Sequence, residues 1–152
     1  MITLADFDPA DEPATDSQIR GAELLIGQSL PVTCRWILAR YGGACGHLEF
    51  SVPWTSDLFS VGQWLSVLPW HSNNMWSVLS CWPEHEMPLT AIPIGVDGGG
   101  NWLCLDYRET AIPRVAYYFA ELQGPEGLFV LADDFDRWIC ALVPGLKDIT
   151  AA

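Results

Sequence analysis

Cysteine and histidine are the residues of this sequence best suited to nucleophilic or metal chemistry, and they occur in two short pairs. Cys45 precedes His47 by two positions, and Cys81 precedes His85 by four. In space the two pairs could together hold zinc, but neither contains the closely spaced cysteines that are typical of zinc knuckles. A thiol activated by an imidazole is also conceivable, yet no local motif supports it. The sequence therefore predicts no catalytic residue and no metal site.

Oxygen ligands concentrate around one glycine-rich turn, DGGGN. Asp97 and Asn101 bound the turn, and Asp106 follows it. Their spacing does not match the calcium loop of an EF-hand, and the turn lacks the Lys and Ser/Thr of a phosphate-binding loop. We therefore expect no cofactor. Asp97 and Asn101 keep two interpretations: contact with a partner, or simple shaping of the turn, as Asx residues often do.

The charge balance is strongly acidic, with 19 Asp and Glu residues against 7 Lys and Arg residues and a net charge of −12. Such a chain repels the phosphate backbone of nucleic acids and the anionic surface of membranes, so neither is an expected partner. The charge excess keeps two interpretations: it provides solubility, or it forms an acidic face that steers the protein onto a basic partner, because complementary charge accelerates association. The length of 152 residues, half of them hydrophobic, suits one folded domain.

The sequence predicts a cytoplasmic protein with reduced thiols. Its first residues have neither a basic region nor a continuous apolar run, so no secretory signal is expected. The five cysteines are odd in number and widely spaced, which argues against a disulfide framework. The longest uncharged stretch, residues 58–83, contains Gly62, Pro69 and several polar side chains, which argue against a membrane-spanning helix.

The chain divides into a leader and a domain. Residues 1–15 hold four carboxylates, two prolines and no basic residue. This composition predicts an acidic, flexible leader, because so few apolar groups gain little from packing. Residues 16–152 are expected to form a single domain.

Three helices are predicted in the first part of that domain. The first is capped by Asp16 or Ser17 and ends at Gly27. Its apolar stripe consists of Ile19, Ala22, Leu25 and Ile26. A second helix has Pro31 in its first turn, where no amide donor is needed. A third is expected over residues 56–68, although Gly62 weakens it.

Strands dominate the prediction for the second part. Residues 47–52 alternate in polarity, and three further strands are expected at 90–96, 102–108 and 113–119. Short polar connections between the last three indicate an antiparallel meander. A final helix follows Asp133 as its cap, and its apolar side consists of Phe135, Trp138, Ile139 and Leu142.

Tryptophan recurs every six residues in the middle of the chain, at Trp64, Trp70, Trp76 and Trp82. Pro69 and an Asn pair interrupt this run, so the recurrence is interpreted as chance and not as a repeat. Tryptophan is common both in cores and at interface hot spots. The region 64–83 therefore keeps two interpretations, core packing and partner contact.

Three blocks of this sequence resemble the SUKH superfamily, which includes fungal cell-wall-assembly regulators and bacterial immunity proteins. The first block is ELLIGQSLPVTCRWILARYGG, two helices ending in Tyr-Gly-Gly. The second is IPIGVDGGGNWLCLDYR, a strand, glycine turn and strand, and the third is PRVAYYF followed by LADDFDRWICAL. The resemblance covers about residues 16–143 and leaves 53–88 unmatched. It implies an α+β fold, an antiparallel sheet meander with helices packed on one face.

The resemblance also implies a function without catalysis. Bacterial members look like immunity proteins, which bind a toxin domain, often a nuclease, and so protect the cell. We accordingly expect a monomer or homodimer that neutralises a basic toxin domain. A regulatory scaffold of the fungal type and a small enzyme or ligand-binding module are the alternatives. The candidate partner-binding residues are Asp97, Asn101, Asp106, Tyr107, Glu84, Glu86, Trp70 and Trp76.

Overall fold

A computed structural model describes residues 2–150 of the chain. The helices are α1 Asp16–Ile26, α2 Val32–Tyr41, α3 Met75–Cys81, α4 Phe135–Leu142 and α5 Gly145–Thr150. The strands are β1 Cys45–Val52, β2 Thr55–Trp64, β3 Ala91–Val96, β4 Trp102–Asp106, β5 Arg114–Tyr118 and β6 Leu128–Ala132. Two short 3-10 turns lie at Leu4–Asp6 and Gly124–Gly127.

The six strands form one antiparallel sheet in the order β1-β2-β3-β4-β5-β6. Each strand pairs with its neighbour along the chain, and Trp102 of β4 lies opposite both Val96 of β3 and Tyr118 of β5. The predicted α+β class and antiparallel meander are confirmed. The meander extends beyond the three expected strands because the hairpin β1-β2 joins it on one side and β6 on the other.

The main core lies between one face of the sheet and the helices α1, α2, α4 and α5. Leu103 and Leu105 of β4 point into this core, and so do Val115 and Tyr117 of β5. Ile37 of α2 is fully buried against them. Alternate strand residues supply this face, as the two-residue period of a strand requires, and helices pack on it as predicted.

The opposite face of the sheet carries a second, smaller core. Cys104 and Tyr118 point into it, in alternation with their neighbours on the same strands. The cover comes from the end of α3 and residues 82–88, with Trp82 fully buried at its centre. The Trp82 indole donates a hydrogen bond of 2.7 Å to the Ala91 carbonyl, which fixes this cover to β3.

The predicted helix over residues 56–68 is wrong, because most of this segment is strand β2. It pairs with β1 along its length, and Val61 and Trp64 point into the main core. A Cβ at Gly62 would lie 3.3 Å from the Val96 carbonyl, so the glycine lets the hairpin pass close to β3. The apolar residues of this segment match neither the helical period nor the strand period clearly. The segment is a strand because it pairs with β1.

Helix ends follow the predicted signals with small shifts. Thr15, and neither Asp16 nor Ser17, caps α1 by accepting the Gln18 amide at 3.2 Å. Gly27 ends α1 with a φ of 73°, as predicted. The Leu25 side chain is 77% exposed, so the predicted stripe is wrong there. In α4 the cap is Asp134 and not Asp133, since the Asp134 carboxylate accepts the Arg137 amide at 3.0 Å.

Residues 2–14 lie against the domain. The buried Phe7 ring contacts Tyr41 edge-on, with centroids 5.2 Å apart. The amides of Ala10 and Ala14 donate hydrogen bonds of 2.9 Å to carbonyls at the end of α2. The flexibility expected of this leader and the single-domain boundary at residue 16 remain predictions.

Gly127, where the loop after β5 meets β6, provides a test of the backbone packing. A Cβ there would collide with the Leu122 carbonyl and lie 2.7 Å from the Phe119 carbonyl. We therefore expect Gly127→Ala to lower the free energy of unfolding by about 2 kcal/mol in urea denaturation. Gly98→Ala is the matched control, because nothing lies within 4 Å of its added Cβ. Equal stability of the two variants would contradict the crowding at Gly127.

Candidate protein-binding surface

Asp97 and Asn101 hold the turn between β3 and β4 in place. The Asp97 carboxylate accepts the amides of Gly99 at 2.8 Å and Asn101 at 2.9 Å, and the Tyr117 hydroxyl donates to its other oxygen. Burial and this hydrogen bond raise the pKa of Tyr117 above its usual range. The Asn101 side-chain oxygen accepts the Ala120 amide at 2.9 Å. Both candidate residues therefore have a structural role, and a role in partner contact remains a prediction.

Asp106 is fully buried and paired with two arginines. Arg108 binds both carboxylate oxygens at 2.9 Å, and Arg114 donates to one of them at 2.8 Å. Burial alone would raise the pKa of Asp106, but the hydrogen bonds from the two arginines outweigh it and hold the pKa below its usual range. The adjacent Tyr107 is also buried, and its hydroxyl donates to the Ser29 carbonyl at 2.6 Å. Neither side chain presents a surface to a partner in this structure.

The two candidate tryptophans differ in exposure. Trp70 is 64% exposed, and its indole donates to both oxygens of Glu12 at 3.1 Å. Trp76 is half-buried against the main core, and its indole donates to the Val67 carbonyl at 2.7 Å. Trp70 is thus available on the surface, whereas Trp76 holds the loop before α3.

Glu84 and Glu86 are exposed on the loop that covers the second core. Beside them, the His85 carbonyl accepts the Gly124 amide at 2.7 Å. This bond joins the loop 82–88 to the loop 119–127, where Glu121 and Glu126 are also exposed. The contact of Asn101 with Ala120 then joins the same loop to the glycine turn.

These three segments form what we call the acidic end of the sheet: the loop 82–88, the turn 97–101 and the loop 119–127. Its carboxylates are Glu84, Glu86, Asp97, Glu121 and Glu126. Lys and Arg are absent from residues 41–107 and from 115–136. In the part of the chain that the structure describes, none of these five carboxylates forms an ion pair. The negative charge of the acidic end is therefore not offset by any ion pair within residues 2–150.

The sequence indicates a turn at residues 124–127, but it did not show that the loop 119–127 contacts the segments that carry the predicted candidates Glu84, Glu86, Asp97 and Asn101. The only available signal was the pair of glycines at 124 and 127. Gly124 has a φ of 72° and Gly127 has no room for a side chain. Such glycines indicate a tight loop, but they do not indicate what the loop contacts.

The cysteines and histidines do not assemble as the pooled zinc site that the sequence allowed. Within residues 2–150, the one group of three or more potential metal ligands is Asp8, Cys45 and His47. Among the remaining thiols, burial raises the pKa of Cys34 and Cys104 well above the usual range. A raised pKa disfavours the thiolate, so these two buried thiols are poor nucleophiles.

Comparison with known proteins identifies a family for this chain. The model of the SMI1/KNR4 family (SUKH-1) matches residues 13–141. The SPbeta prophage-derived uncharacterized protein YokK of Bacillus subtilis (strain 168) is 24% identical over 147 aligned residues, which cover 85% of this chain and 74% of that protein. A crystal structure of a protein from Pseudomonas syringae pv. tomato is similar with a TM-score of 0.49 and 15% identity, over 76% of this chain and 77% of that one.

A separate observation concerns membranes. No helix within residues 2–150 has both the length and the apolar character that a membrane crossing needs.

The buried ion pairs of Asp106 give a prediction about stability. Asp106→Asn removes the buried counter-charge of Arg108 and Arg114, and we expect the free energy of unfolding to fall by about 3 kcal/mol. Because the folded-state pKa of Asp106 is lowered, its contribution is present above the unfolded pKa of about 3.9 and is lost as the pH falls below it. Urea denaturation between neutral and acidic pH measures both effects.

The control for Asp106 is Glu109→Gln. Glu109 is exposed and lies 3.7 Å from the Arg114 guanidinium, so its loss should cost about 0.5 kcal/mol or less. A similar small cost for both variants would show that the buried pairs do not stabilise the fold.

The two tryptophans give a matched pair of variants. Trp76→Ala removes packing against the main core and a hydrogen bond to the Val67 carbonyl, so we expect a loss of about 3 kcal/mol in the free energy of unfolding. Trp70→Ala should change stability by about 0.5 kcal/mol. Thermal and urea denaturation distinguish the two. Equal losses would contradict the assignment of Trp76 to the core and Trp70 to the surface.

Proposed function

This chain belongs to the SMI1/KNR4 family (SUKH-1), and from that premise we propose that it is an immunity-type binding protein. It binds a toxin domain and neutralises it by covering its functional surface. Occlusion of this kind requires a complementary surface and no catalytic group.

The observation that carries the proposal is the acidic end of the sheet. It gathers carboxylates from three separate segments and lies in stretches of chain that have no Lys or Arg. Intramolecular ion pairs would neutralise such a patch, but none forms there among residues 2–150. The lack of ion pairs at the acidic end among these residues supports a role for its charge in partner contact.

The partner that this surface suits is a basic toxin domain. A nuclease has a cationic cleft that binds phosphate groups, and clustered carboxylates can occupy that cleft in place of the nucleic acid. Complementary charge also accelerates the encounter, which favours an inhibitor that must bind its toxin quickly. Rigid support comes from the second core beneath the loop 82–88, where the rings of Trp82 and Trp102 lie 5.5 Å apart.

The aromatic residues add a second element to the proposal. Trp70 lies on the surface just before α3, and Glu84 and Glu86 follow the same helix. A partner that reaches both ends of α3 would bury the indole while pairing with the carboxylates. Buried tryptophans are frequent hot spots of binding energy.

The test is affinity capture with charge-neutralised variants. The tagged protein is incubated at low salt with a lysate of its source cells, and bound proteins are quantified by mass spectrometry. We expect one stoichiometric basic protein with a toxin domain, and Glu84→Gln with Glu86→Gln should lower the amount captured in a short incubation by about tenfold, because slower association lowers early binding. Salt should also weaken capture, because the Debye length shortens from about 30 Å at 0.01 M to about 8 Å at 0.15 M.

The matched control removes two charges elsewhere, with Asp11→Asn and Glu109→Gln. Both residues are exposed and lie outside the acidic end. Capture should be unchanged by this pair. Loss of capture in both double variants would assign the effect to net charge and not to the acidic end. Several substoichiometric partners would favour a regulatory scaffold over an immunity protein.

A further inference from the structure

Three different metal-ligand types meet where the leader crosses the start of β1. One ligand atom each from Asp8, Cys45 and His47 lies within 4.8 Å of the other two. The His47 Nε2 and Asp8 Oδ2 atoms are 3.1 Å apart. Asp8 and His47 are more than half exposed and Cys45 is partly exposed, so an ion can reach all three.

A β-bulge in β1 produces this arrangement. Cys45 pairs with Gln63 and Leu48 with Val61, so β1 has one more residue than β2 between the two pairs. Bulges of this kind re-aim side chains. His47 takes a φ of 52°, an uncommon conformation for a residue with a side chain.

Two contacts support the bulge from either side. A Cβ at Gly46 would lie 2.8 Å from the Val61 side chain, so only glycine allows this close approach. The Asp8 amide donates to the Cys45 carbonyl at 3.3 Å, which places the leader's carboxylate beside the thiol and the imidazole. Both the bulge and the docked leader are needed to bring the three ligands together.

We propose that Asp8, Cys45 and His47 bind a zinc ion. Thiolate, imidazole and carboxylate are the three side-chain ligands that zinc uses, at bond lengths of about 2.0 to 2.3 Å. A tetrahedral ion with such bonds places its ligand atoms about 3.3 to 3.6 Å apart. The His47 and Asp8 atoms, which lie 3.1 Å apart as hydrogen-bond partners, need to separate by only a few tenths of an ångström to meet that spacing. Three protein ligands leave a fourth position for water or for a partner's side chain.

Electrostatics favour a cation at this place. When zinc binds, the thiol releases its proton, and the ion together with the carboxylate and the thiolate makes the site neutral. The leader also carries Asp6, Asp11 and Glu12 without a basic residue. The ion would also join the leader to β1 and to the end of α2, which the Ala10 amide already contacts. This site is separate from the acidic end and does not depend on the proposed function.

The experiment uses the intact metal-free chain and two probes. Zinc binding is measured by calorimetry, and cobalt substitution reports the thiolate through its ligand-to-metal charge-transfer band. We expect one equivalent to bind and the cobalt band to appear. Removing a residue that only hydrogen-bonds to a metal ligand lowers metal affinity by about 10- to 100-fold. Cys45→Ala and His47→Gln each remove a direct ligand, so each should weaken zinc binding by about a hundredfold or more.

Cys81→Ala is the matched control, because it removes an exposed thiol that lies outside the cluster. It should keep the full affinity and the cobalt band. Asp8→Asn, an exposed substitution that leaves β1 intact, provides a further variant with an expected loss of affinity. The proposal is overturned if zinc does not bind saturably in the micromolar range. It is equally overturned if the cobalt band persists in Cys45→Ala or disappears in Cys81→Ala.

Discussion

The antiparallel meander determines where each loop of this protein lies. Because every strand reverses direction, alternate connections fall at the same end of the sheet. The turn after β3 and the loop after β5 therefore meet at one end, and the connection between β4 and β5 lies at the other. The first end collects carboxylates that form no ion pair within residues 2–150, whereas the other carries Arg108 and Arg114 around the buried Asp106. The strand order thus places Arg108 and Arg114 at the end of the sheet opposite the turn 97–101 and the loop 119–127, which lie on either side of them in the chain.

The sheet is covered on both faces, and this governs what remains on the surface. The four helices on one face bury a large core, and the Trp64 side chain is fully buried in it. The segment 82–88 covers the other face, and Trp82 is buried there. Trp70 and Trp76 lie between these two tryptophans in the chain and are only partly buried. Trp70 is the more exposed of the pair. Rigid cores on both sides hold the loops of the acidic end, which a partner-binding surface requires.

The start of β1 shows a different consequence of the same packing. Gly46 allows a bulge against Val61, and the docked leader brings Asp8 to Cys45 and His47. Neither the leader nor β1 alone creates the cluster, because the leader supplies the carboxylate and the strand supplies the thiol and the imidazole. The acidic leader is therefore part of the local chemistry of the sheet, and a bound cation would strengthen its attachment.

The sequence by itself determined the helix that ends at Gly27, the strands around the DGGGN turn and helix α4, because local propensity and turn chemistry act over a few residues. Its resemblance to a known family implied the α+β class. It could not place β2, whose mixed pattern became strand only by pairing with β1. It also could not show that Asp106 is buried, or that the loop 119–127 links Asn101 to His85. Those facts depend on contacts between residues far apart in the chain. Tertiary structure alone decides them, since burial and hydrogen bonding there outweigh any local preference.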